Sequence, residues 1–143
     1  MLRVLVAVAL LAPAVRCADL AAIRNEPRLE RRSELALEHA IATVERARDA
    51  WRASKMAEFQ QALEEIREAS ELSYQSLRET GKPARRHPKY FKRAEKNLRS
   101  LMKKLDGLFQ EVGIDDRAAV DEVRRRASDL HDQVVTDIMS KKK

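Results

Sequence analysis

Three histidines, His39, His87 and His131, are the side chains of this sequence best suited to hold a metal ion or a haem. A di-iron carboxylate centre needs inward Glu-x-x-His pairs on two helices, and covalently attached haem needs Cys-x-x-Cys-His. Neither pattern occurs, and no histidine has a partner histidine three or four residues away. No metal and no cofactor are therefore expected. Ser70, Ser73 and Tyr74 stand close enough together to suggest a nucleophile, but catalysis needs a nucleophile, a base and an orienting group converging on a pocket. A narrow helical domain packed by Ala, Leu and Val offers none that can be assigned. These three residues read as polar groups at a helix interface, and no catalytic residue and no enzymatic activity are expected.

The remaining chemistry is electrostatic. Between Lys82 and Lys104 the chain carries ten basic residues against one acid, Glu95, on a protein whose formal net charge is +6. Lys82, Arg85, Arg86, Lys89, Lys92, Arg93 and Lys96, with Tyr90 among them, are candidate anion-binding residues. Their partner would be the negative surface of a membrane, an anionic envelope polymer or nucleic acid. The stretch lacks the spaced aromatics on which bases stack, which puts nucleic acid last of the three. The plainer reading of the same charges is a solvated helix face.

The element that positions these charges is an amphipathic helix. Phe91, Ala94, Leu98, Leu101, Leu105, Leu108 and Val112 recur in steps of three and four, the seam of a packed helix. At ~100° per residue, lysines 89, 92, 96 and 103 fall on the opposite side. The 143 residues make one domain, and 36% charged with 4% aromatic and few glycines or prolines is the composition of long helices. No run suggests a strand.

Residues 1–18 read as a signal peptide: Arg3, the apolar run Val4 to Ala12, then Pro13 before small residues, with cleavage after Ala14 or near Cys17. An exported protein, periplasmic or extracellular, is expected. The run is far short of the ~20 apolar residues of a spanning helix. Arg16 stands where a lipidation motif at Cys17 wants a small residue.

Residues 19–27 form a lead-in, and 28–140 a single domain of four helices. The first is expected over 28–53, with Asn25 or Glu26 as its cap and Pro27 at its first position. The second, over 55–79, follows a tight break at Ala53-Ser54-Lys55 with Ser54 as cap, preferred to one continuous helix over 28–79 because a single rod would leave both apolar stripes uncovered, and ends at Thr80-Gly81 before Pro83. The third starts at Pro88 and runs to Val112, with Gly107 marking a close helix crossing. Ile114-Asp115-Asp116 is a turn capping the fourth, over 116–139, and 141–143 is a basic tail. Similar lengths and short links predict an all-α, antiparallel up-down four-helix bundle preceded by a signal peptide, monomeric or a homodimer. Residues 56–79, with a net charge of −4 from Glu58, Glu64, Glu65, Glu68, Glu71 and Glu79 against Arg67 and Arg78, are expected beside the basic helix. A tetratricopeptide unit is set aside, since no second copy follows.

In length and topology the chain resembles the b-type haem bundles of the periplasm. That resemblance implies a Met early in the first helix and a His in the last; His131 could serve, but the first helix has no Met. At Arg86-His87-Pro88-Lys89-Tyr90-Phe91-Lys92-Arg93-Ala94-Glu95 and Asp115-Asp116-Arg117 it also resembles short, exported, uncharacterised bacterial helical proteins, which implies export and helix but no activity. The expected function is a non-enzymatic interaction or structural module of the cell envelope, working through the basic helix. A cofactor- or metal-carrying bundle and a chaperone-like stress protein are the alternatives.

Overall fold

The computed structural model describes residues 19–140, and the elements among them are all helical. They are α1 (Leu20–Arg24), α2 (Leu29–Arg52), α3 (Met56–Glu79), α4 (Pro88–Glu111) and α5 (Ile114–Met139). The signal peptide expected over 1–18 and the basic tail at 141–143 lie outside the described residues.

The four long helices enclose one core, and the ion pairs between them set their order and direction. Arg32 meets Glu79, Ser33 meets Ser73 and Arg46 meets Glu65, so α2 and α3 run antiparallel. Asp106 with Arg124 and Glu95 with His131 make α4 and α5 antiparallel as well. The other two sides differ. Glu34 with Arg93 and Glu45 with Lys104 rise together along α2 and α4, and Glu71 with Arg126 and Tyr74 with Asp137 rise together along α3 and α5. Chain direction thus alternates as the sequence predicts, but the helices follow the ring order α2, α3, α5, α4, with two parallel sides. The acidic α3 sits across the diagonal from the basic α4 and barely touches it, which corrects the expectation that the two lie side by side.

Link length explains the arrangement. Residues 53–55 and 112–113 can join only nearest neighbours, whereas residues 80–87 span up to ~26 Å when extended, more than the ~14 Å diagonal of helices packed ~10 Å apart. This strap crosses the lower end of the molecule and buries Ala84 beneath it.

Local chemistry sets the helix ends. The break at 53–55 is a tight hairpin, but Ser54 is not a cap of α3: it takes the left-handed conformation, φ 58°. Its N–H donates to the Trp51 carbonyl and the Lys55 N–H to the Ala50 carbonyl, the closing pattern of a helix C-terminus usually completed by glycine. A side chain there costs about 1 kcal/mol, so Ser54→Gly is expected to raise stability by roughly that amount in urea titration; no gain would show the turn to be unstrained. Gly81 (φ 64°) and Pro88 end α3 and begin α4 as expected.

Three sequence expectations need correction. α2 starts at Leu29, not at Pro27, and Asn25 closes the short α1 instead of capping α2. The Glu26 carboxylate accepts from the Arg28 backbone and guanidinium at 3.2 Å each. Asp115 and Asp116 lie inside the first turn of α5, behind Gly113, where their charge suits the positive end of the helix dipole. Gly107 is no close crossing: a methyl group there would meet only the far end of Arg48 at 3.6 Å.

The core follows the apolar stripes. On α4 the six seam residues from Phe91 to Leu108 are buried, and so is Val112, the residue that caps its C-terminus. On α2 a second stripe of small residues, Ser33, Ala36, Ala40, Thr43, Ala47 and Ala50, is also buried. It faces Ala62, Ala69, Ser73 and Ser76 of α3, and this is the closest helix pair in the molecule. Leu20 and Ile23 of α1 close the outer edge of that pair.

Candidate functional site

The solvent face of α4 begins where the strap ends. Pro88 starts the helix with no N–H to leave unpaired, and the buried seam fixes its rotation so that Lys89, Lys92, Lys96 and Lys103 point outward. Lys89 and Lys92 also stand in the first turns, where the helix dipole is positive and lysine is unfavourable for stability. No acidic residue occupies that first turn to offset them.

The seven candidate residues divide into two sets. Lys82 is bound to Glu30 at 2.7 Å and Arg93 to Glu34 at 2.6 Å, both on α2. These two cations brace the parallel α2–α4 side of the fold. They line an open cleft of about 450 Å³ between the two helix starts. Arg85, Arg86, Lys89, Lys92 and Lys96 are exposed and, among the described residues, have no carboxylate within 4 Å. Lys103, two turns beyond Lys96, shares their face and their lack of a partner. Tyr90 is half-buried, with the Lys89 ammonium 5.5 Å from its ring centre.

Elsewhere the surface is neutralised pairwise. Apart from this set, each described lysine or arginine except Lys55, Arg78 and Arg117 has a carboxylate within 4 Å. Arg78 instead lies near the Tyr74 ring, and Arg117 over Phe109 beside Arg124. Among the described residues, unpaired positive charge is therefore concentrated between residues 85 and 103.

Pairs within and between helices perturb their acids. Hydrogen bonds from Arg99 and then His131 hold Glu95 below the ordinary carboxylate range, Lys82 does the same for Glu30, and Arg48 with Lys104 for Glu45. Burial pushes Glu111 up, and Arg52 and Arg48 together more than reverse it. A carboxylate with a lowered pKa in the folded chain stabilises above its unfolded pKa of about 4.3 and loses that contribution as pH falls through the folded value. Stability is expected to be flat from pH 7 to about 5 and to drop below about 4.5. Each part-exposed pair is worth only a fraction of a kcal/mol, so the drop is gradual, and Glu95→Gln should shrink it. Thermal melts from pH 3 to 7 measure both; an acid limb of unchanged size in the variant would contradict the assignment.

The histidines sit apart. Among the described residues no group of three or more His, Cys, Asp or Glu is arranged to hold a metal. His39 is buried between α2 and α3, its Nε2 2.9 Å from Glu65, which also binds Arg46. His131 Nε2 is 2.9 Å from Glu95 across the α4–α5 side, and His87 is exposed in the strap. Ser70 donates to the Ile66 carbonyl, Ser73 pairs with Ser33 at 2.9 Å, and Tyr74 donates to Asp137 of α5 at 2.9 Å. Ser73 and Tyr74 are engaged across helix interfaces, and Ser70 is buried with its hydroxyl bound within α3. The sequence reading did not find Trp51 Nε1–H donating to Asp116 at 2.9 Å, a link across the upper diagonal between α2 and α5.

No protein-family model matches the chain, and no curated protein and no solved structure is significantly similar to it. No described helix is long and apolar enough to cross a membrane.

Proposed function

We propose that this chain is an up-down four-helix bundle, non-enzymatic, that serves as an interaction or structural module of the cell envelope and grips an anionic partner through the solvent face of α4. The observation that carries the reading is the concentration of unpaired cations at Arg85, Arg86, Lys89, Lys92, Lys96 and Lys103 on a surface where most other cations are paired. Lysines placed at the positive end of a helix dipole lower stability. Departures from local consistency of that kind are characteristic of functional surfaces. Lys82 and Arg93, occupied by α2 carboxylates, hold the fold together and leave the outward set to meet the partner. Export through residues 1–18 belongs to this reading on the strength of the sequence pattern.

The test compares the chain with the pair Lys89→Glu plus Lys92→Glu against anionic and neutral ligands, both vesicles and polymers. Anionic ligands alone should bind, at least tenfold more weakly in the charge-reversed variant and more weakly as salt rises. Binding that ignores both salt and the substitutions removes the proposal.

A further inference from the structure

The outward cations of α4 form a line. Lys89, Lys92, Lys96 and Lys103 lie within ~60° of arc and extend over ~21 Å of helix, and Arg85 and Arg86, exposed in the strap just before α4, add two more unpaired cations. On both flanks the charges are paired. Glu30, Glu34 and Glu45 on α2 hold Lys82, Arg93 and Lys104 on one side, and on the other Glu95 holds Arg99 while Asp106 and Asp121 hold Arg124 and Arg125. The unpaired positive band is therefore about one side chain wide and several turns long.

We infer that the partner is a flexible single-chain phosphate or phosphodiester polymer laid lengthwise along α4, recognised by its charge and not by its sequence. The inference rests on the reading of α4 as an anion-binding face and names the shape of the anion. A planar bilayer presents negative charge in two dimensions, so its phosphates beside the row would find only cations already engaged by carboxylates. A single chain places its charges in one file and meets the unpaired cations alone. Bases would find little to stack on, because Tyr90 is half-buried and has the Lys89 ammonium near its ring. Contact is then with phosphate oxygens, the interaction that fixes a polymer's position without reading it.

Full-length chain titrated with labelled inorganic polyphosphate and with oligo(dT), beside vesicles containing phosphatidylglycerol, tests this. The proposal expects polymer binding whose log K falls with log salt at a slope of about −4, for six cations at ~0.7 each. That is a loss of a few hundredfold between 50 and 200 mM salt, on the same relation. Lys89→Gln/Lys92→Gln/Lys96→Gln, checked for an unchanged helical spectrum, should halve the slope. Equal binding of the two polymers identifies charge alone as the determinant, and binding of one identifies the source of the phosphate. Vesicle binding that depends on the three lysines, without polymer binding, overturns the linear partner and leaves the α4 face standing. Polymer binding unchanged in the triple variant, or no binding to any of the three, overturns both.

Discussion

Leu101→Ala is expected to destabilise the protein by about 2–5 kcal/mol, the range for emptying a fully buried leucine site. Leu101 has no exposed surface and lies midway along the seam between Leu98 and Leu105, both also buried. Removing its branched end forfeits the transfer free energy and leaves a void that four packed helices can only partly close. For a chain of this size the melting temperature should fall by about 10–20 °C. Against a total of about 5–15 kcal/mol this is a large fraction. Lys103→Ala, two residues on and exposed, should move stability by less than about 0.5 kcal/mol while weakening polyanion binding. Urea titration of both variants separates the two faces of α4. Equal stability losses would mean that the helix is rotated from the orientation described.

Ala40→Leu is expected to cost about 3 kcal/mol, for the opposite reason. Ala40 is fully buried in the small-residue stripe of α2, where that helix and α3 pack most closely. Three added carbons must force the helices apart or push neighbours off their rotamers, the upper end of the usual cost of overpacking. The same displacement would stretch the buried Ser33–Ser73 hydrogen bond, 2.9 Å long, and leave hydroxyls short of partners. Ala57→Leu, exposed on α3, adds the same volume where nothing resists it and should be nearly neutral. If the two substitutions proved equally mild in thermal melts, the close approach of α2 and α3 would be refuted.

What could be read directly from the sequence was whatever depends on local pattern. The apolar series of α4 is long and regular, so its span and buried face match expectation from Phe91 to Val112. Gly81 with Pro83 is punctuation that short-range sterics enforce, whereas nothing local forces the break at Ser54, which followed from the need to cover two apolar stripes. Of the small stripe of α2, Ala40 and Ala47 fall on the apolar face that the sequence shows, while Ser33, Ala36, Thr43 and Ala50 escaped because small and hydroxyl side chains contribute little to a hydropathy pattern. Leu20 and Ile23 escaped because one helical turn between a leader-like segment and Asn25-Glu26-Pro27 gives too short a period.

Ring order is a different kind of omission. A two- or three-residue link leaves one neighbour within reach, but the strap at 80–87 can end beside either α2 or α3. The choice is made by contacts far apart in the chain, chiefly the packing of the shared core, with pairs such as Glu34 with Arg93 and Glu45 with Lys104 at its edge. Of the candidate site, the sequence located the basic stretch, while separating Lys82 and Arg93 from the rest required knowing which helix stood next to them.

The strap also decides how the molecule divides. It is the sole covalent joint between the α2–α3 hairpin and the α4–α5 hairpin, yet the two share a single core. A cut between the exposed Arg85 and Arg86 would sever that joint and leave the buried interface intact. The chain is in that sense two pieces already assembled, and its seam runs through the first cations of the row that would meet the polymer. A polymer seated there would shield the joint, so occupancy and resistance to cleavage would rise together.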